Sequence, residues 1–559
     1  MNYLDYTIIL TYSLLMLIIG IYVKDCKNST DFFHGGRNFG WMTLLLSVMA
    51  TQLSAVSFIS APAFVGFKTG GGLKWLTFEF AVPIAMIFVA VVIIPPLYRS
   101  GVVSAYEYLE KRFGRSTRLL ISSVFLLSRS TATGVSVYAL AMTMETMFHI
   151  SFFQSIALVC VVTALYSLKG GMRAVIISDA VQMVILLLSI VVCWGYGYHY
   201  IGGWSGFTAA VDPERVKIMD FSKLGFNGDE YGMLPMLIGG LFLYTSYYGT
   251  DQTQVQRALS AKSLKTVRQT YLINGFVRFL ITLAYCTMGL LVGAFMLSKP
   301  EMVKAIGSKP DLMLPTFMLH YLPNGVMGFV LVGILSAAMS TYSSVFNSLS
   351  AVAIEDFLAR GKKLDQKTYI RWARLTSLFW MSICVVVACF VGDFAPTVIE
   401  AINKIGSLFY GPILMLFLVA ILSKKTTALS VNIGLIVGVA TNLYIWKYEP
   451  QIFWFWWNLI GAGVTFVVIF IVRLIQPYIL PFSDLLSESF LFSKNLGYDN
   501  LQQNALMPLP SSESLKHYVT ETEKDFKQEV LIWNKHLIRY SIAFFVLILI
   551  ISYWLQMIL

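Results

Sequence analysis

Leu335-Ser-Ala-Ala-Met-Ser-Thr-Tyr-Ser-Ser-Val-Phe-Asn-Ser348 is a polar stripe inside an apolar run, with Gly328-Phe-Val-Leu-Val-Gly-Ile334 before it and Leu349-Ser-Ala-Val-Ala-Ile354 after it. Ala337, Ser340, Thr341 and Ser344 recur at i, i+3, i+4 and i+7, so a helix places them on one face. Ser343 and Asn347 widen that face to one side. Small side chains let a second helix come close, and the hydroxyls then aim oxygen into the seam. A donor set of oxygen without Cys or His suits a hard cation, not zinc or copper. A Ser-rich packing seam accounts for the same stripe, and the stripe alone does not separate the two readings.

The rest of the chain supplies the setting. Of its 559 residues, 57% are hydrophobic and 13% charged, and the mean hydropathy is +0.70, the balance of a polytopic membrane protein. A run of ~20 apolar residues spans the hydrocarbon core. About fourteen such runs are expected, near 4–23, 41–66, 74–98, 117–147, 152–168, 173–198, 232–250, 270–297, 314–354, 370–391, 395–422, 426–446, 452–475 and 537–558. The first has no charged segment before it and no small-residue cleavage pattern after it, so it reads as an anchor and not as a signal peptide.

Lys and Arg set the orientation. With the N-terminus outside, the inner loops hold Lys24, Lys27, Arg37, Arg99, Lys111, Arg112, Arg115, Arg118, Arg257, Lys262, Lys265, Arg268 and the cluster from Arg360 to Arg371. The outer loops hold fewer, and the positive-inside rule favours this topology. A multi-pass protein of the plasma (inner) membrane follows. The net charge of +11 is accounted for by these loops, so no nucleic-acid partner is implied. Five of the six cysteines lie in apolar runs, with neither a disulfide framework nor a CxxC pattern.

Several spans carry polar groups. The second contains Thr51, Gln52, Ser54, Ser57 and Ser60, with Pro62 following, which suggests a helix interrupted where it lines a cavity. Unwound backbone there frees carbonyls such as those of Ala50 and Leu53 to meet a cation; a proline-kinked packing helix is the alternative. Glu79 lies near the outer end of the third span, as a pathway residue or an interfacial one. The loop Gly101–Gly114 is amphipathic and reads on physical grounds as a solvated face. Arg129, in the fourth span, faces a cavity, a buried partner or an anion, because an intramembrane Arg costs at least ~2.5 kcal/mol. Asp179 is a candidate cation ligand or proton relay, with a salt bridge to an Arg as its alternative. Leu243-Tyr-Thr-Ser-Tyr-Tyr-Gly-Thr-Asp-Gln-Thr-Gln-Val-Gln-Arg257 reads as a second helix break beside an aromatic platform, which suits a sugar ring as well as a membrane interface.

Gly249-Thr-Asp-Gln-Thr-Gln-Val-Gln-Arg257, the Gly101–Gly114 loop, Lys169-Gly-Gly-Met-Arg-Ala-Val175 with Asp179, Asp311-Leu-Met-Leu-Pro315 and the Ser340–Ser348 stretch resemble signatures of the sodium:solute symporter family. The likeness runs from the first span to about residue 475, with the motifs in the family's order. It includes the sodium/glucose cotransporters and the bacterial sodium-coupled sialic acid transporters. The resemblance implies an all-α fold of two inverted five-helix repeats (LeuT-like) with accessory helices. Mapped here, the chain divides into a first accessory span and loop (1–40), a first repeat (41–198), an outer loop (199–231) and a second repeat (232–422). Two accessory spans (423–475), a cytosolic loop (476–536) and a final span (537–559) follow.

By the same resemblance, a sodium ion is held by the carbonyls of Ala50, Leu53 and Ala337 and the hydroxyls of Ser340 and Thr341. A second ion would lie among Asp179, Ser340, Ser343 and Ser344, giving one or two coupling ions. Solute would meet Gln52, Ser54, Ser57, Glu79, Arg129, Tyr247, Arg278 and Asn403. Arg129 resembles the arginine that holds the sialic acid carboxylate, whereas Thr250-Asp251-Gln252, Tyr247 and Glu79 resemble the glucose-carrier form. Arg278 stands for a lysine of the sugar carriers and Asn403 for a glutamine. Lys404 adds a charge beside Asn403, or pairs with Glu400 at i−4. The implied activity is sodium-coupled symport of a small polar solute, a sugar or a sugar acid such as sialic acid, by alternating access. A neutral sugar, inositol, another organic anion or a vitamin are the other solutes in view.

Other classes fit less well. An intramembrane enzyme needs a nucleophile–base or metal constellation, and the six histidines are scattered over span ends and loops. A channel needs a repeated filter motif, and none is found.

Overall fold

A computed structural model describes residues 2–23, 33, 35–148, 150–359, 365–390, 396–423, 425–483 and parts of 543–552. The described chain is helical almost throughout. Helix α1 (Tyr3–Tyr22) leads into the broken pair α2 (Trp41–Gln52) and α3 (Ala55–Gly66), then α4 (Leu73–Arg99). A surface helix α5 (Ala105–Phe113) joins α4 to α6 (Arg115–Phe148). The helix Phe152–Tyr200 is interrupted at Gly171 (φ 56°, ψ −156°), and its second part is α7 (Gly171–Tyr200). Next come α8 (Met233–Thr250), α9 (Gln252–Leu259), α10 (Leu264–Leu297) and α11 (Val326–Leu358). The bundle closes with α12 (Gln366–Ala388), α13 (Val398–Leu422), α14 (Ala428–Tyr448) and α15 (Trp454–Ser483).

Ten of the described helices, or eleven counting the bent pair, are long and apolar enough to cross a bilayer. The run at 232–250 is helical but falls short of that test, and 152–168 belongs to the interrupted helix. The final run, 537–558, and the loop 476–536 lie almost wholly outside the described residues, although α15 continues to Ser483. The run at 314–354 is not one span. A short helix, Met313–Tyr321, ends at Leu322, and the turn through Pro323, Asn324 and Gly325 (φ 86°) precedes α11. Proline and a left-handed glycine stop the helix where apolar composition alone would carry it on.

The outside of the bundle is apolar: Leu10, Leu127, Val191, Phe379 and Phe466 are all at least half exposed, as hydrocarbon contact requires. Polar side chains turn inward instead. Helix α11 is the most enclosed, with 94% of its most apolar stretch buried. Between Val326 and Val352 its serines, threonine and asparagine are all inside.

Besides the interruption at Gly171, two breaks among the described residues bear on the site, and neither is at a proline. Helices α2 and α3 meet at 59° across Leu53 and Ser54. Pro62, expected to cause the interruption, sits within α3 and serves another purpose. A Cβ on Gly289 of α10 would come within 2.5 Å of the Pro62 Cα, so the bare glycine is what lets the two backbones touch. The second break lies between α8 and α9 at Asp251 (φ −74°, ψ 123°), whose carboxylate accepts from the Thr253 N–H at 2.8 Å, a local cap on the new helix.

Candidate functional site

The polar face of α11 packs against the α2–α3 break. Ser340 Oγ donates to the Ala50 carbonyl at 2.9 Å and also lies 3.0 Å from the Ala337 carbonyl. Thr341 Oγ1 lies 3.3 Å from the Thr51 carbonyl and 3.1 Å from that of Ala337. Leu53, the first residue past α2, is buried beside them with ψ 79°, off the helical path. Two hydroxyls of α11 thus converge with the last carbonyls of α2 at the break, an all-oxygen donor set of the kind hard cations take.

One turn further along α11, Ser343 and Ser344 donate to the Ser340 carbonyl at 3.1 and 2.7 Å. Asp179 of α7 is fully buried and takes the Ser47 hydroxyl on Oδ2 at 2.7 Å. Sequence reasoning did not bring Arg257 of α9 into this ring. Its Nη2 donates to Asp179 Oδ2 at 2.7 Å and to Ser344 Oγ, its Nε to Ser47 Oγ at 2.9 Å, and its Nη1 to the Thr253 carbonyl at 2.6 Å. Asp179 Oδ1 has no hydrogen-bond partner.

Beside the cation seam lies a cavity of about 120 Å³. About 10–15 Å³ admits one water molecule, so the space has room for a small solute. Its wall includes Gln52, Ser54, Ser57, Arg129, Tyr247, Arg278 and Asn403, seven of the eight residues expected to meet solute. Thr51 and Thr341 belong both to this wall and to the cation seam. Trp75, Phe78, Tyr244 and Tyr410, not singled out from sequence, supply aromatic faces.

Arg129 has its guanidinium 5.4 Å from the Tyr247 ring centroid and 3.7 Å from Asp251 Oδ2. That carboxylate is beyond hydrogen-bond distance, and Arg129 Nε is buried without a partner. Gln52 Oε1 is likewise unpartnered.

Glu79 is the eighth residue, and it does not reach the cavity wall. It is fully buried behind it. Arg278 donates to it from Nε at 2.9 Å and from Nη2 at 2.8 Å, and the Tyr244 hydroxyl donates at 2.8 Å. Arg278 Nη2 also meets Tyr244 at 3.0 Å. Two residues expected to bind solute bind each other.

At the end of the bundle that carries the N-terminus, the chain just past α3 is tied to α13. Glu400 of α13, fully buried, accepts from Lys68 Nζ at 2.6 Å, Thr397 Oγ1 at 2.5 Å and the Tyr231 hydroxyl. Lys404 does not pair with Glu400; it reaches Asp229 at 2.8 Å, because Lys68 already occupies the carboxylate. Asp311, in the loop before α11, accepts the Val398 N–H at 3.0 Å, and burial pushes its carboxyl up to about 6. At the opposite end the Gly101–Gly114 loop is not a solvated face. Tyr106 and Leu109 are buried, the Ala105 N–H donates to Gln252 Oε1 at 2.8 Å, and Gln252 Nε2 returns to the Val103 carbonyl at 3.0 Å. The loop is the seat of the second broken helix.

A broken-helix bundle with a cation seam sharing a wall with a solute cavity defines an ion-coupled transporter. Residues 32–438 match the model of the sodium:solute symporter family, and the chain belongs to that family. Among its relatives, the sodium/iodide cotransporter of Homo sapiens is 27% identical over 77% of this chain and 67% of its own. Sodium-coupled monocarboxylate transporter 1 of Xenopus laevis is 28% identical over 79% of this chain and 71% of its own. The fold is shared with a Na+-coupled sialic acid symporter in a substrate-bound outward-open state, at a TM-score of 0.76 and 24% identity over 84% of this chain and 98% of that one. The chain is therefore a sodium-coupled solute symporter of the membrane, and not an enzyme.

Proposed function

We propose that this symporter imports a small organic monoanion, a sugar acid such as sialic acid or a simpler carboxylate, together with one sodium ion. The observation that carries the reading is Arg129, whose guanidinium lines the cavity with an unpartnered Nε and only a distant carboxylate nearby. A carboxylate offers the unpartnered Nε a charge-assisted hydrogen bond, beside the Tyr247 and Tyr410 hydroxyls that the guanidinium already meets. The relatives named for monocarboxylates and iodide, and the structural neighbour named for sialic acid, support an anion as cargo.

Sodium sits between α11 and the α2–α3 break, on Ala50, Leu53, Ala337, Ser340 and Thr341. Because Thr51 and Thr341 face both ion and solute, binding the ion shapes the solute cavity, and this is how the two fluxes couple. Each charge moved inward across 100 mV contributes ~2.3 kcal/mol to the uphill step. The Asp179, Ser343 and Ser344 ring is filled here by Arg257, so it adds no second coupling ion. The repeats are 41–198 and 232–422, each opening on a broken helix. The N-terminus lies outside the plasma membrane, and the Lys68–Glu400 closure is the outer gate.

The test is uptake into proteoliposomes of labelled sialic acid, pyruvate, glucose and myo-inositol, with and without an inward sodium gradient, repeated for Arg129→Ala. Sodium-driven uptake of an acid, lost in the variant, is the expected result. Sodium-driven uptake of a neutral sugar that survives the substitution overturns it.

A further inference from the structure

Two guanidinium groups line the cavity, yet they stand in different electrostatic positions. Arg129 has a carboxylate only at 3.7 Å. Arg278 is held by both oxygens of Glu79, with the Tyr244 hydroxyl bridging the pair. A two-point Arg–carboxylate contact is the strongest pairing that a guanidinium makes, and at this depth it is little screened. Glu79 itself is out of reach of solute, with no exposed surface. Its effect on the cavity is exerted through Arg278.

We propose that Glu79, fixed by Tyr244, is the specificity-determining residue of this cavity: by neutralising Arg278 it keeps the wall from recognising a second carboxylate, and so sets monoanions above dianions and neutral polyols. The inference rests on the carboxylate role of Arg129 and adds what that role leaves open, the charge number of the cargo. The pairing also ties up the Nε and one Nη of Arg278, so those donors are not offered to a polyol. Glu79 is a positioning residue. It never touches the solute.

A charge series on one carbon skeleton tests this. Purified full-length protein in saturating sodium is titrated with glucitol, gluconate and glucarate, and separately with glycerol, glycerate and tartronate, and binding is read as thermal stabilisation. The wild type is expected to bind the monoanion of each series most tightly. In Glu79→Gln the amide no longer neutralises Arg278, and the dianion-to-monoanion affinity ratio is expected to rise at least tenfold. Tyr244→Phe, which leaves the ion pair intact and loosens it, moves the ratio about threefold in the same direction and guards against misfolding of the first variant. The double variant Glu79→Gln/Arg278→Gln returns the ratio to that of the wild type, which a merely structural role for the pair does not predict.

An unchanged ratio in both single variants, in protein that sodium still stabilises, overturns the proposal. A wild-type preference for the polyol overturns it together with the reading beneath it. Failure of that reading alone appears elsewhere, as undiminished gluconate affinity in Arg129→Gln with Glu79 intact.

Discussion

The Arg257 Nη2 lies 2.7 Å from Asp179 Oδ2, with 1% and 0% of the two side chains exposed, and it donates to the Ser344 hydroxyl as well. A positive charge supplied by the protein therefore stands among the oxygens that the resemblance assigns to a second sodium ion. Removing one member of a buried pair strands the other, at a cost of about 3–5 kcal/mol, whereas removing both is far milder.

Asp179→Asn is accordingly expected to lower the melting temperature steeply, and Asp179→Asn/Arg257→Gln to recover most of the loss. In the wild type, the sodium dependence of uptake is expected to give a Hill coefficient near one. A coefficient near two, falling to one in Asp179→Asn, would show that Arg257 vacates Ser344 and that a second ion is coupled.

The stripe at 335–348 was legible because helical period 3.6 shows which residues share a face, and the face was polar. The break near Leu53 was legible as well, although Pro62 suggested the wrong cause. Apolar runs do not record where a backbone unwinds. Periodicity does not name a partner across the bundle. Arg257 and Asp179 are 78 residues apart and Arg278 and Glu79 are 199 apart, so their pairing appears only once the helices pack. The loop at Gly101–Gly114 misled for the same reason. Its charges are local, while the glutamine that buries its other face comes from α9.

Asp311 gives the N-terminal end of the bundle a pH dependence. It is packed against Ser60 of α3, the Val398 N–H and Glu400 of α13, and burial, the largest influence, pushes its carboxyl up to about 6. The ordinary value is ~3.9, so between about 4 and 6 the folded protein holds a proton that the unfolded chain has lost. Stability then falls as pH rises through that window, by about 2–3 kcal/mol at ~1.4 kcal/mol per unit. The wild type is expected to melt about 2 °C lower at pH 6.5 than at pH 4, at ~1 kcal/mol per degree for a chain of this size. Asp311→Asn, neutral throughout, should flatten that slope; a slope unchanged in the variant would move the titration to another group.

The first helix is pinned to the helix that carries the cation seam. Asp5 Oδ1 accepts the N–H groups of Gly325 and Gly328 at 2.7 and 2.9 Å, and Oδ2 accepts that of Asn2 at 2.9 Å. The carboxylate is fully buried, and it satisfies donors that the start of α11 leaves without intrahelical partners. Asp5→Ala strands both, at about 1–3 kcal/mol for each donor, and a fall in melting temperature of about 2–5 °C is expected for a chain of this size. Asp5→Asn keeps an acceptor and loses only the charge, so its fall should be about half as large. Ser340 lies 15 residues past Gly325, about 22 Å along the helix at 1.5 Å per residue. The sodium concentration for half-maximal uptake is therefore expected to change less than twofold in either variant. A larger change would make the α1 contact part of the coupling and not only of the scaffold, because the first turn of α11 would then be moving with the ion.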